Sequence, residues 1–241
     1  PAMKADPLIV EKLQEHNALI NIEDYHHSYP HCWRRKTPLI FTSTPQWFIS
    51  MDKNKLNKDA LEFIKSVNWE PSWGLQRIES MLTNRPDWCI SRQRNWGVPI
   101  TLVVHKDTGE IHPDQKDLFE KFAQIIEKDG ISAWDNLDLR DYIDDHEDYT
   151  KTSDSLDVWF DSGVTHFTVS AKRFGANVVA DLYLEGSDQH RGWFQSSLLT
   201  SIAMNKSVPY KTVLTHGFVV DEHGRKQSKS LGNVVSPQKV W

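Results

Sequence analysis

Val178-Val179-Ala180-Asp181-Leu182-Tyr183-Leu184, the stretch from Gln189 to Asn205, and Thr212-Val213-Leu214-Thr215-His216-Gly217-Phe218-Val219-Val220 decide the fold between them. The outer two read as strands and the middle one as a long helix. Strand, helix, strand in that order is the pattern of a parallel sheet. In such a sheet ligands gather at the carboxyl ends of the strands.

The first strand runs into Leu184-Glu185-Gly186-Ser187-Asp188-Gln189-His190-Arg191-Gly192-Trp193-Phe194. Two carboxylates bracket a glycine at a strand end, just before a helix. Carboxylates so placed can accept hydrogen bonds from ribose hydroxyls or a substrate ammonium, and Gly186 lets a ligand approach the backbone. Helix capping by Ser187 or Asp188 accounts for part of this polarity. It does not account for Glu185, nor for the polar groups crowded beside Trp193. After the last strand comes Lys226-Gln227-Ser228-Lys229-Ser230, then Leu231-Gly232-Asn233. Two lysines three residues apart, interleaved with serines, make a mobile cationic loop. It suits a polyphosphate whose charge shifts during reaction.

Further out, residues 1 to about 20 carry Leu8, Ile9, Leu13 and Ala18 near the helical period. Leu39–Thr42 and Leu156–Phe160 read as strands. Asn57–Ser66, Gly74–Thr83 and Asp117–Lys128 read as helices, and Ile100–Val104 is β-rich. Asp135 to Asp148 holds seven acids against one arginine, the mark of a solvated face. Ser236-Pro237 begins a helix. The whole chain has 241 residues, 39% hydrophobic and 25% charged, with net charge −5. That argues against a generally basic nucleic-acid-coating protein. No apolar run approaches the ~18 residues of a membrane span, and no signal-peptide pattern opens the chain. Two cysteines, Cys32 and Cys89, are too few for a disulfide framework and suggest the cytoplasm. Cys32 with His26, His27 and His31 is a poor zinc site, since structural zinc wants four ordered ligands.

The Lys226–Ser230 stretch resembles the Lys-Met-Ser-Lys-Ser loop of class I aminoacyl-tRNA synthetases, with Gln227 in place of methionine. The junction at Glu185 resembles the isoleucyl family within that class. So do Tyr29–Arg34, Thr44–Phe48, Arg85–Gly97 and Asp157–Gly163, in the family's order and across nearly the whole chain. The resemblance implies an α/β fold. It would be the second half of a Rossmann-like parallel-sheet nucleotide-binding fold, with the tail of the editing insertion and a small α+β connective insertion. Residues 1–45 would be that tail, 46–104 the return into the catalytic domain, 105–150 the acidic insertion, and 151–241 the catalytic half-fold with its loop. The family's His-x-Gly-His motif has no match here, so no aminoacylation by the chain alone is expected.

The resemblance further implies activation of L-isoleucine by ATP with Mg2+ and transfer to tRNA(Ile). Lys229 and Lys226 would be catalytic and, with Ser228 and Ser230, would bind ATP. Glu185, Gly186, Asp188, Gln189, Trp193 and Trp159 would bind isoleucyl-adenylate. No metal site of the chain and no membrane contact are implied. Gln227 departs from the family by putting a polar end where methionine packs, which would loosen the closed loop. Arg35 stands where some relatives have the second cysteine of a Cys-x-x-Cys pair. Arg85, Trp88, Arg92 and Arg94 form a basic, aromatic stretch with two open readings. They grip the tRNA acceptor end, or the arginines pair with nearby carboxylates while the tryptophans fill a core. A different class of function also stays open: a stand-alone tRNA-binding or regulatory module derived from a synthetase.

Overall fold

A computed structural model describes residues 5–32, 35–175 and 178–241. Trp33 and Arg34 of the Tyr29–Arg34 stretch lie outside the described residues. The chain separates into two compact units, 1–45 and 46–241.

In the first unit a helix spans Asp6–Glu15, opened by Pro7 in its first turn, and buries none of its residues. The expected strand at Leu39–Thr42 does not form. The segment is tied back instead by a bridge between His31 and Pro38 and by the Tyr29 hydroxyl donating to the Leu39 carbonyl at 2.9 Å. Without a neighbouring strand to complete a ladder, an apolar β-prone run remains irregular.

The second unit is organised by three parallel strands, in the order Asn68–Glu70, Tyr210–His216, Ala180–Gly186. The expected βαβ unit is present: Ala180–Gly186 leads through a 3-10 turn, Ser187–Arg191, and the helix Trp193–Asn205 to the central strand. Leu184 pairs with Leu214 and Glu185 with Thr215. Glycine at 217 follows the strand end at His216, so the β run stops short of Val220. One face of the sheet, carrying Tyr183 and Val213, is buried beneath helices. On the other, Leu182, Leu184 and Leu214 stay exposed.

The helix Trp193–Asn205 is the centre of the core. Every residue from Phe194 to Ile202 is buried. Phe194, Leu198, Leu199 and Ile202 join Ile64, Trp69, Ile78, Leu82, Tyr210 and Val213 in one cluster. The hydroxyls on this helix are all engaged: Ser197 donates to the Trp193 carbonyl at 2.6 Å, Thr200 to the Gly163 carbonyl at 2.8 Å, and Ser201 to the Ser207 carbonyl at 2.8 Å. Buried polar groups are tolerated on such terms.

Leu156–Phe160 departs from expectation. Only Ser155–Leu156 is strand, and a helix follows over Val158–Gly163. Asp157 causes the switch, because its carboxylate accepts from the Trp159 backbone N–H at 3.3 Å and caps the helix. That helix crosses the buried one at Gly163, where an added Cβ would lie 3.0 Å from the Ser196 carbonyl oxygen. A second cluster of Val103, Leu118, Phe122, Trp134 and Ile143 gathers around the helix Gln115–Asp129. Gln115 joins it to the backbone there, accepting from Val103 N at 2.7 Å and donating to the Thr101 carbonyl at 3.0 Å.

Gly163→Ala pushes a methyl group against backbone rather than a movable side chain. We expect a loss of about 1–3 kcal/mol of stability, read as a lower urea midpoint at unchanged slope. An unaltered midpoint would show that the crossing has slack.

Candidate adenylate and phosphate site

The carboxyl ends of the strands gather the predicted residues. Ser162, Thr165, Glu185, Gln189 and Trp193 line an open hollow of about 330 Å3. Glu185 is exposed there, and its carboxylate has no ion-pair or hydrogen-bond partner among the described residues. Opposite Glu185 in the strand register is Thr215, whose buried hydroxyl has no partner among the described residues. Gln189 is held in place as its Oε1 accepts from the Trp193 backbone N–H at 2.9 Å. The Trp193 indole lies flat on Tyr183, with ring centroids 3.9 Å apart at 9°.

Gly186 and Gly192 make the close approaches that side chains would block. A Cβ on Gly186 would fall 2.8 Å from the Asp188 carboxylate, and one on Gly192 would fall 2.5 Å from Gln189 Oε1 and 2.8 Å from the Trp159 ring. Trp159 therefore lies across Gly192, beside the hollow rather than in its lining. Ser187 and Asp188 do not cap the helix through their side chains. The 3-10 turn is instead braced from below by His190.

His190 is fully buried, stacked on Trp69 at 5.9 Å and tilted against Trp73 at 5.7 Å. Its Nδ1 lies 3.1 Å from the Ser187 carbonyl. A carbonyl only accepts, so Nδ1 carries the proton. Nε2 is buried without a partner. Burial, first of all, pushes this imidazole's pKa down.

The lysine loop leaves from the same end of the sheet. Gly186 pairs with His216, and the Phe218 ring lies 3.7 Å from where a Gly186 Cβ would be. The Lys226 ammonium sits over that ring, 3.5 Å from its centroid, a cation–π contact. Lys229 is exposed and its ammonium has no partner among the described residues. Ser228 and Ser230 approach each other at 3.2 Å through their hydroxyls. The frame of the loop is Asn233, which accepts from Ser228 N at 2.9 Å and donates to Asp221 at 2.8 Å. Arg225 grips the same carboxylate at 2.9 Å. Asn233 leads, ahead of Arg225, in holding the Asp221 carboxyl below the ordinary range. The polar end of Gln227 has a use as well, since its Oε1 lies 3.5 Å from the Val235 backbone N–H.

The arginine–tryptophan stretch divides. Arg85 turns inward to Gln195 and over Trp88, and burial lowers its pKa. Trp88 is buried, with its indole N–H 3.4 Å from Asp157. Arg92 is ion-paired to Asp157 at 3.0 Å and donates to the Cys89 and Ser91 carbonyls. These three are occupied in packing. Arg94 differs: it lines an open hollow of about 730 Å3 together with Trp96, which is almost wholly exposed. Sequence reasoning missed Ser162, Thr165, Thr215 and Asn233. Only Asn233, next to the loop, carried a local signal. Among the described residues no group of three or more His, Cys, Asp or Glu side chains is arranged to hold a metal ion, and no helix is long and apolar enough to cross a membrane.

The family model for class I tRNA synthetases (I, L, M and V) matches residues 8–241. The isoleucine–tRNA ligase of Vibrio vulnificus (strain YJ016) is 61% identical over 239 residues, covering 98% of this chain and 25% of the relative. That of Ruthia magnifica is 61% identical over 238 residues, covering 98% and 26%. That of Thioalkalivibrio sulfidiphilus (strain HL-EbGR7) is likewise 61% identical over 238 residues, covering 98% and 25%. The chain thus spans about a quarter of the length of the curated relatives it matches.

An imidazole whose folded pKa lies below its unfolded one takes up a proton more readily once unfolded. Its contribution is complete above about pH 6.5 and is lost as pH falls through that value toward the folded pKa. We expect the urea midpoint to drop between about pH 7.5 and 5.5. The drop should shrink in His190→Asn, whose amide keeps the bond to Ser187. An equal drop in both proteins would remove His190 as a source.

Proposed function

The chain belongs to the class I tRNA synthetases, and from that premise we propose that it supplies one wall of the active site of an isoleucine–tRNA ligase. That enzyme would join L-isoleucine to ATP as isoleucyl-adenylate and pass the aminoacyl group to tRNA(Ile). The observation that carries this reading is the hollow that brings Glu185, Gln189 and Trp193 together at the strand ends. In this reading residues 1–45 are the tail of the editing insertion, 46–104 the return to the catalytic domain, 105–150 a connective insertion and 151–241 the catalytic half-fold. A cytoplasmic location goes with it.

The isoleucine carboxylate attacks the α-phosphate of ATP, which arrives with Mg2+, and pyrophosphate leaves. The substrates supply nucleophile and leaving group, so the protein contributes position and charge. Glu185, free of partners, accepts from the ammonium or ribose hydroxyls of the adenylate. Gly186 and Asp188 shape the approach, and Gln189 offers its amide. Trp193, with Trp159 beside it, walls the isoleucine side chain. Lys229 is free to follow the developing phosphate charge. Lys226 joins it by leaving the Phe218 ring, and Ser228 and Ser230 add donors. Discrimination by such an apolar pocket is worth only ~1–3 kcal/mol per methylene. Arg94 and Trp96 are the residues we assign to tRNA from the arginine–tryptophan stretch.

In the ligase, Lys229→Ala should slow adenylate formation on the order of 10²-fold while leaving isoleucine binding nearly unchanged, because its charge is met in the transition state. Pyrophosphate exchange at the normal rate would sink that role. Glu185→Ala should weaken binding of a non-hydrolysable isoleucyl-adenylate analogue with circular dichroism unchanged. Unaltered affinity would make Glu185 structural. The 241-residue chain alone should bind ATP weakly and form no adenylate, and robust exchange by it would show the catalytic residues to be misassigned.

A further inference from the structure

Thr165 lies two residues beyond the helix Val158–Gly163 and belongs to none of the motifs singled out above, yet it lines the hollow with Glu185 and Trp193. The Trp193 indole N–H is shared between two acceptors on this segment, the Ser162 carbonyl at 3.1 Å and Thr165 Oγ1 at 3.2 Å. Thr165 in turn donates to the Ser162 carbonyl at 2.9 Å. One hydroxyl has one proton to give and two lone pairs, so Thr165 can donate to Ser162 and accept from the indole at once.

The backbone fixes where that hydroxyl points. Gly163, with no side chain, lets its helix close on Ser196, one turn along from Trp193. Immediately after Thr165 the chain winds into a π-helical segment, His166–Ala171. His166 is buried there, with Nε2 3.1 Å from the Thr200 hydroxyl, and Thr200 reaches back to the Gly163 carbonyl at 2.8 Å. Thr165 is thus gripped on both sides and cannot drift from the indole. π-Helical turns cluster at functional sites, where they re-aim a residue.

We propose that Thr165 is the positioning residue for the Trp193 wall, and that its hydroxyl sets the width of the pocket for the amino-acid side chain. This rests on the reading of the hollow as the isoleucyl-adenylate site. Stacking on Tyr183 fixes the plane of the indole but leaves it free to slide and turn in that plane. The bonds from Nε1 to Thr165 and Ser162 remove that freedom. A wall held still can separate side chains that differ by one methylene; a wall that slides re-forms around the smaller one.

Two variants separate the hydroxyl from its bulk. Thr165→Val keeps the shape and loses the hydroxyl, and Thr165→Ser keeps the hydroxyl. In the 15N-tryptophan-labelled chain, assigned with Trp193→Phe, the Trp193 indole N–H should be slow to exchange with solvent. Thr165→Val should shift that resonance and speed its exchange by about tenfold or more, and Thr165→Ser should restore it. Sulfamoyl analogues of isoleucyl- and valyl-adenylate, bound to the ligase, give the second readout. The ratio of their dissociation constants should fall by about tenfold in Thr165→Val and recover in Thr165→Ser. An indole resonance unmoved by Thr165→Val overturns the positioning role, and so does an unchanged ratio. If Glu185→Ala leaves the ligase's affinity for the isoleucyl analogue unaltered, the adenylate reading fails, while the indole exchange still decides whether Thr165 holds Trp193.

Discussion

The second unit depends on burying one helix from all sides. Trp193–Asn205 has sheet beneath it and other helices packed around it, and nine consecutive residues from Phe194 to Ile202 are inside. A helix in that position has no solvated stripe to carry its polar residues. Its serines and threonines are accommodated because each hydroxyl finds a carbonyl, one turn back, across a helix crossing or just past the helix end. Small side chains also let neighbours approach, as Gly163 does at Ser196. From this follow the direction of the helix axis, the place of the turn at Ser187–Arg191, and the projection of Glu185 beyond the sheet.

The βαβ unit was legible in the sequence because its strands are apolar and its helix is long. Its boundaries moved only where a local device intervened, such as Gly217 beyond the central strand. Leu156–Phe160 looked like a strand because Leu156, Val158, Trp159 and Phe160 are all β-formers. A single carboxylate, Asp157, turned the last three into helix by capping it. Glu185, Gln189 and Trp193 could be read because they are consecutive with a strand end. Ser162 and Thr165 could not, since they reach the same hollow on a different helix, and only packing brings them there. Arg85 and Trp88 show the converse. Their composition fitted an RNA surface, but the neighbours that draw them inward, Gln195 and Asp157, lie far along the chain.

The lysine loop is anchored at its base. Asn233 and Arg225 both hold Asp221, and Gly224 and Gly232 take up positive φ angles of 72° and 68° at the turns. Between those fixed points, Lys226 rests on an aromatic face and Lys229 has no partner among the described residues. A cation–π contact is a weak tether, worth ~0.5–1 kcal/mol at an exposed site. Under the proposed function a triphosphate would offer far more charge, so the contact would set a resting place without opposing departure.

The open face of the sheet has a consequence for how the chain behaves in bulk. Strand Ala180–Gly186 pairs on one side only among the described residues, and Leu182, Leu184 and Leu214 face outward beside it. An unpaired backbone edge next to an apolar face is a template for another strand. Encounters between two such edges grow with the square of concentration. Turbidity on storage should therefore depend on how concentrated a sample is more than on how long it is kept, and a lysine introduced at Leu182 would clear it.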